Sequence, residues 1–293
     1  MSVLSSFDYF KPATIEQALA LWEKYKRNVR YIAGGTDVLV QMKAGKPPAD
    51  YLVSLLNISD LSYIKQDNNG LRIGPLTTHR QLELSDIIKD KYPVLHDAVK
   101  QIGSVQIRNV ATIGGNLCSA LPSADTASPL LVLNAQLKVV GVQGERLLSL
   151  TDFFISPGKN ALEASDILTE ILIPAIMGKS GAAYIKLGRR RAMEIPLIGA
   201  AVYLAVNERG FCSEARVALT TSAPIPLRSP VAEEALIGSR IDEKTLQNAG
   251  EQALMDTSPR TSWRTTAEYR KKVIPVLIIR AGLLALERLA DKT

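Results

Sequence analysis

Apolar positions recur every three or four residues along ATIEQALALWEKY (13–25), the period of an amphipathic helix, and Thr14 and Gln17 have capping-box spacing at its start. The period then changes. VRYIAGG (29–35) reads as a short buried strand ending in glycines, and YLVSLLNI (51–58) as a second apolar strand. Strand, helix and strand at this spacing predict a small parallel βαβ unit. From Leu71 the pattern shifts again. LRIGPLTT suggests a strand, RQLELSDII a helix, and PVLHDAVKQI a second helix with Pro93 in its first turn. TASPLLVLNA (126–135) fits a short helix, while QLKVVGV, RLLSL and DILTEILIP fit strands, which together give an α+β unit rather than more βαβ. Pro, Ser and Gly collect in PAIMGKSGAA (174–183), where a domain boundary is expected. Beyond it AAYIKLG, PLIGAAVYLAV and CSEARVALTT read as three successive strands. VAEEALIG and EKTLQNAGEQALM read as helices, and a long last helix runs from about Ala267 to Ala290. Thr265 and Glu268 have capping-box spacing for that helix, and Pro275 is expected to kink it.

Composition narrows the function classes. A chain of 293 residues with 46% hydrophobic content suits two folded domains. The net charge of +6 is spread among interleaved acids and bases. The only dense basic run, GRRRAM (188–193), contains no aromatic, so a nucleic-acid surface is not indicated; the run reads as a solvated strand end or a local anion site. Two cysteines, Cys118 and Cys212, suit a reducing compartment and are too few for a protein-held zinc ribbon or iron–sulfur cluster. Two histidines, His79 and His96, argue against a His-rich metal site, and an isolated histidine is more often a structural hydrogen-bonder than a ligand. The opening MSVLSSFDYFKP lacks the basic and apolar regions of a signal peptide, and VIPVLIIRAGLLAL (273–286) is too short for a bilayer and interrupted by Arg280. A soluble cytoplasmic protein is expected.

Two glycine runs carry the candidate chemistry. In AGGTDVLVQMK (33–43), Gly34 and Gly35 follow a strand, and successive N–H groups in such a turn can form a nest for phosphate, with the Thr36 hydroxyl as a further donor. The run matches neither G-x-G-x-x-G nor the P-loop, and taken alone it is equally a tight turn. In TIGGNLCSALPSADTASPLL (112–131), Gly114 and Gly115 again follow a β-branched pair and Asn116 offers a donor and an acceptor. Asp125 can accept from ribityl or ribose hydroxyls, or can cap the helix at TASPLL. Cys118 has no basic neighbour and reads as a small buried thiol. Two such runs about eighty residues apart can hold the two phosphates of a dinucleotide.

Taken together, YIAGGTDVLVQMK, QIRNVATIGGNLCSALPSADTASPLL and KLGRRRAMEIPLIGAAV resemble the FAD-binding subunit of the molybdenum hydroxylases, the xanthine dehydrogenase and aerobic CO dehydrogenase family. The resemblance runs over nearly the whole chain in order and spacing. It implies an FAD-binding domain of the vanillyl-alcohol-oxidase type in two α+β subdomains, about 1–58 and 59–176. A C-terminal domain, 177–293, with a three-stranded sheet and helices is implied to follow. It implies flavin contacts at Tyr31, Ile32, Ala33, Gly34, Gly35, Thr36, Asp37 and Val38, at Thr112, Ile113, Gly114, Gly115 and Asn116, and at Asp125. Leu168 is implied to wall the flavin, and Lys186 to place a charge near the ring or its acceptor; otherwise they are a strand core residue and a solvated lysine. Electrons from two [2Fe–2S] clusters in a small partner subunit are implied to reach FAD here and then NAD or another acceptor. A large partner is implied to hold the molybdenum–pterin centre, in a dimer of heterotrimers. Protein residues then position and tune the cofactor, with no catalytic side chain or metal of their own.

Two departures qualify the resemblance. Two cysteines cannot hold the additional cluster found in one subgroup, and Ile195 stands where some members place a tyrosine over the flavin ring. A stand-alone flavin oxidoreductase of the same fold is a second reading, and a non-catalytic dinucleotide-binding module a third. Co-purifying iron–sulfur and molybdenum chains would separate the first from both.

Overall fold

A computed structural model describes residues 6–45 and 49–290, so the first five positions of the opening stretch lie outside the described residues. The chain starts with β1 (Asp8–Phe10), α1 (Ile15–Tyr25), β2 (Val29–Ile32), α2 (Val38–Lys43) and β3 (Tyr51–Ser54). The strands are parallel in the order β1-β3-β2, as the βαβ pattern requires. β1 went unseen in the sequence because three residues, two of them exposed, carry too little pattern. At the start of α1, Thr14 Oγ1 accepts the Gln17 N–H at 3.2 Å.

Next come β4 (Ile64–Asp67), β5 (Gly70–Ile73) and six short helices. These are α3 (His79–Leu84), α4 (Asp86–Lys91), α5 (Pro93–Val99), α6 (Val105–Val110), α7 (Ile113–Cys118) and α8 (Ala127–Val132). Then follow β6 (Gln136–Gly141), β7 (Gly144–Ser149), the hairpin β8 (Phe154–Ser156) and β9 (Lys159–Asn160), and β10 (Ile167–Pro174). Five strands form an antiparallel sheet, β4-β5-β10-β6-β7. RQLELSDII is two helices, not one. It breaks at Ser85, whose extended backbone and hydroxyl cap α4 through the Ile88 N–H.

The last part contains β11 (Ser180–Leu187), β12 (Ile198–Val206), β13 (Cys212–Thr220) and the two-residue β14 (Leu227–Arg228), antiparallel in that order. The three long strands are the expected ones, and β14 extends them. α9 (Pro230–Glu234), α10 (Glu243–Gln252) and α11 (Ala267–Ala290) cover one face. Side chains alternate along these strands. Ala183, Ala200, Val202 and Leu204 pack on the helices, while Ala182, Tyr184, Ala201 and Tyr203 join the core of the preceding unit. A sheet buried on both faces explains the unbroken apolar run of PLIGAAVYLAV. α11 is capped by Thr266 rather than Thr265, since the Thr266 hydroxyl accepts the Tyr269 N–H at 3.2 Å. It runs on through Pro275, and Gly250 of α10 gives the proline room: a Cβ there would lie 2.8 Å from Pro275 Cα. At its far end Arg288 grips Asp97 with both Nη atoms, at 2.6 and 3.1 Å, which ties α11 to α5. Among the described residues no helix is long and apolar enough to cross a membrane.

Candidate functional site

A cavity of about 550 Å³ opens where the β2–α2 turn, the helices α3, α6 and α7, and the start of β10 meet the 193–196 segment of the last unit. Both glycine runs reach it. Within each pair the first glycine serves packing. A Cβ on Gly34 would sit 1.9 Å from the Val110 carbonyl oxygen, and one on Gly114 would sit 2.5 Å from Pro75 Cβ. The second glycine stands free of such backbone contact. Gly35 has φ +72°, a left-handed conformation that side chains resist, and its carbonyl starts α2 by accepting from Leu39. Gly115 has only Thr112 Oγ1 within reach of a built Cβ, at 3.0 Å.

The two runs are not the paired strand-end loops that the sequence suggested. The first is a turn after a strand. The second is the first turn of α7, reached from α6 through one extended bridge, Thr78 to Thr112. Thr112 Oγ1 caps this helix by accepting the Gly115 N–H at 3.1 Å. Intrinsic propensity hides it, because two glycines cost about 1 kcal/mol each in a helix. Tertiary bonds override that: Ile113 N–H donates to Thr77 O and Gly114 N–H to Pro75 O, at 3.0 and 2.9 Å. Ser119 then donates to Asp37 at 2.7 Å and locks the first run to the second. Asn116 turns inward and accepts from the Thr126 hydroxyl at 2.6 Å, which fixes the approach to Asp125.

Asp125 does not cap α8; that position is Thr126, whose side chain makes no capping bond. Its carboxylate is buried and clamped from β11, with Tyr184 Oη donating to Oδ1 at 2.7 Å and Lys186 Nζ to Oδ2 at 2.9 Å. Burial pushes the Asp125 carboxyl above the usual carboxylate range, against the pull of Lys186 and Tyr184. Burial, with Asp125 adding to it, drives the Tyr184 phenol well above its ordinary value. Each carboxylate oxygen has a second lone-pair site, so Asp125 keeps acceptor capacity toward the cavity wall it lines.

The cavity thus brings together every residue proposed from the sequence except two. Ile113 is fully buried core, and Lys186 lines a separate polar cavity beside the first. Lys186 is neither a solvated lysine nor a free charge, because its ammonium is spent on Asp125 and on the Gln101 carbonyl at 3.2 Å. Leu168 is both a core residue and part of the wall, at the bulge where β10 slips against β6. Ile195 also lines the wall and is half-exposed.

Sequence reading missed other polar groups at or behind the wall, among them Arg30, Tyr184 and His79. Arg30, half-buried on β2, brings a guanidinium to the wall and donates to Gln41 at 2.7 Å; burial lowers its pKa. Tyr184 had a usable signal, since two residues from Lys186 on a strand is the same face. His79 had none beyond its rarity. The residue lines the cavity at 1% exposure, and burial, with Arg108 nearby, lowers its pKa to about 4. Cys118 also lines the wall, where burial pushes its thiol up to about 12, so it is no nucleophile. The adjoining cavity, about 380 Å³, carries Arg189, Arg190 and Arg191. Arg190 pairs with the buried Glu194 at 2.9 Å and holds that carboxyl below its ordinary value. Among the described residues no cluster of His, Cys, Asp and Glu is arranged to hold a metal ion.

A cavity lined by closely packed glycine backbone from two runs and by the apolar side chains of Leu168, Ile102 and Ile195 suits a dinucleotide-cofactor protein. Comparison with known proteins identifies which kind. Residues 5–176 match the family described as the FAD binding domain in molybdopterin dehydrogenase, and residues 183–285 match the CO dehydrogenase flavoprotein C-terminal domain. The xanthine dehydrogenase FAD-binding subunit of Escherichia coli O157:H7 is 35% identical, over 94% of this chain and 97% of its own length. The carbon monoxide dehydrogenase medium chain of Afipia carboxidovorans is 33% identical, over 94% and 95%. The structure of carbon monoxide dehydrogenase from Hydrogenophaga pseudoflava, lacking the Mo-pyranopterin moiety, superposes with TM-score 0.94 at 29% identity, covering 98% of this chain and 99% of that chain. The chain belongs to the family of FAD-binding medium subunits of molybdenum hydroxylases and is an oxidoreductase flavoprotein. Its cavity fits FAD: the floor is glycine backbone, and the buried imidazole of His79 leaves Nδ1 without a hydrogen-bond partner among the described residues.

Proposed function

We propose that this chain is the electron-transfer subunit of a heteromeric molybdenum hydroxylase. It would stand between [2Fe–2S] clusters on a small partner and an acceptor such as NAD, with the molybdenum–pterin centre on a large partner. The observation that carries the reading is the convergence of both glycine runs and Asp125 on one cavity. Tyr31 to Val38, Thr112, Gly114, Gly115 and Asn116 would hold the dinucleotide stem, with Ile113 supporting the second run from the core. Asp125 would accept from ribityl or ribose hydroxyls through its unused lone pairs. Leu168 and Ile195 would exclude water from the ring. Bound FAD supplies a ring able to take electrons singly and to release them as a pair.

Lys186 would act through Asp125, fixing it as an acceptor, rather than by touching the cofactor. Arginines 189 to 191, in a cavity that shares Glu194 with the first, support an anionic acceptor such as NAD arriving on that side. We treat 1–176 and 177–293 as the two domains of this machine, the first in subdomains 1–58 and 59–176. The test is the visible spectrum of the purified chain before and after acid denaturation. About one FAD released per chain, with iron–sulfur and molybdenum chains co-purifying from the native source, is the expected result. A folded chain that stays colourless and takes up no added FAD overturns it.

A further inference from the structure

Among the described residues of the cavity wall, His79 alone has a buried side-chain polar atom with no hydrogen-bond partner. It sits at the first position of α3, and its backbone is fully engaged in the junction between the two glycine runs. Its N–H donates to Ala111 O at 3.0 Å, next to the Val110 carbonyl on which Gly34 lies. Thr78, just before it, bridges to Thr112 and caps α3 in a capping box with Gln81. The backbone is therefore fixed. The ring is not paired: Nδ1 is buried and has no partner among the described residues, although the residue is 1% exposed. A buried polar nitrogen is ordinarily hydrogen-bonded, and exceptions call for an explanation. Packing alone does not supply one, because an apolar side chain would fill the same place without the desolvation. The nearby cation, Arg108, does not serve as a partner. It is committed to Glu83 at 2.9 and 3.2 Å and to the Ile102 carbonyl at 2.9 Å.

We infer that His79 is a cofactor-binding residue, its imidazole hydrogen-bonding an acceptor oxygen of the FAD stem at the meeting point of the two glycine runs. This rests on the FAD reading above. The ring suits that task. It is uncharged at neutral pH, so it offers one N–H and one lone pair without an ion to desolvate. A half-turn about χ2 exchanges Nδ1 with Cδ2, so either edge can present a nitrogen to the wall.

The chain has only two histidines, which makes the test simple. ¹⁵N-histidine-labelled full-length chain, freed of flavin, is titrated with FAD while both imidazoles are followed by NMR. His96, half-buried on α5 and absent from the cavity wall, is the internal control. The expected result is a shift of the His79 ring nitrogens toward one tautomer, with His96 unmoved. In parallel, the FAD dissociation constant is measured by flavin fluorescence. His79→Phe should weaken it about tenfold to a hundredfold, and His79→Gln, which keeps an N–H donor, should recover much of the loss. Circular dichroism checks that both variants fold. FAD that binds wild type tightly while leaving the His79 nitrogens unchanged, or that binds folded His79→Phe equally well, overturns this inference and leaves the FAD reading intact. Wild-type chain that takes up no FAD overturns both.

Discussion

The same dipeptide, Gly-Gly, is used in two different local structures. At 34–35 it makes a turn between a strand and a helix, with a left-handed backbone at its second position; at 114–115 it lies inside the first turn of a helix. Yet the division of labour is the same. All four glycines line the cavity, but the first of each pair lets one backbone lie against another, at Val110 or at Pro75, and the second makes no such backbone contact. Glycine pairs of this kind are thus half architecture. The packing half brings two distant segments together, and only then does the other half have a partner with which to form a floor.

Single alanine substitutions sharpen this comparison. Gly34→Ala has the largest expected effect, because its Cβ would fall on a carbonyl oxygen 1.9 Å away in a junction that cannot shift separately. We expect a loss of about 3 kcal/mol in urea unfolding, with Gly114→Ala somewhat less at about 2 kcal/mol. Next is a pH effect at the same junction. Folding holds His79 neutral by lowering its pKa from 6.5 to about 4. The unfolded chain therefore binds more protons between these values. Stability is fully present above pH 6.5 and falls by up to about 3 kcal/mol as pH drops toward 4. His79→Gln should lack that share of the slope when urea midpoints are compared from pH 7.5 to 4.5. Gly35→Ala comes third, at about 1 kcal/mol for a left-handed alanine, with FAD retention reduced more than stability. Gly115→Ala should lie within about 0.5 kcal/mol of wild type, since helix propensity gained offsets crowding against Thr112. If Gly115→Ala were as damaging as Gly34→Ala, the division of labour would be wrong.

Much of the fold was legible because long segments carried one clear period. α1, the three long strands of the last sheet and α11 fall where apolar spacing puts them. α6 and α7 were not legible. The helical state of α7 is set by bonds to Pro75 and Thr77, some forty residues earlier in the chain, against the preference of its own glycines. The site divides in the same way. The glycine runs and Asp125 stand out as residue types in a row. The burial of His79, the clamp on Asp125 and the neutralised charge of Lys186 exist only once separate elements meet. Tyr184 lay between, readable from its spacing to Lys186 but silent about what it would touch.

The clamp on Asp125 has a consequence for how such chains can be recombined. The carboxylate belongs to the first lobe, and both groups that hold it, Tyr184 and Lys186, belong to a strand of the second. A chimera joined near residue 176 that exchanged the second lobe for one with different residues at those two places would strand a charge in a dry interior. The lobes are separate in topology yet form one unit of inheritance. A graft succeeds when the acid travels with its two donors.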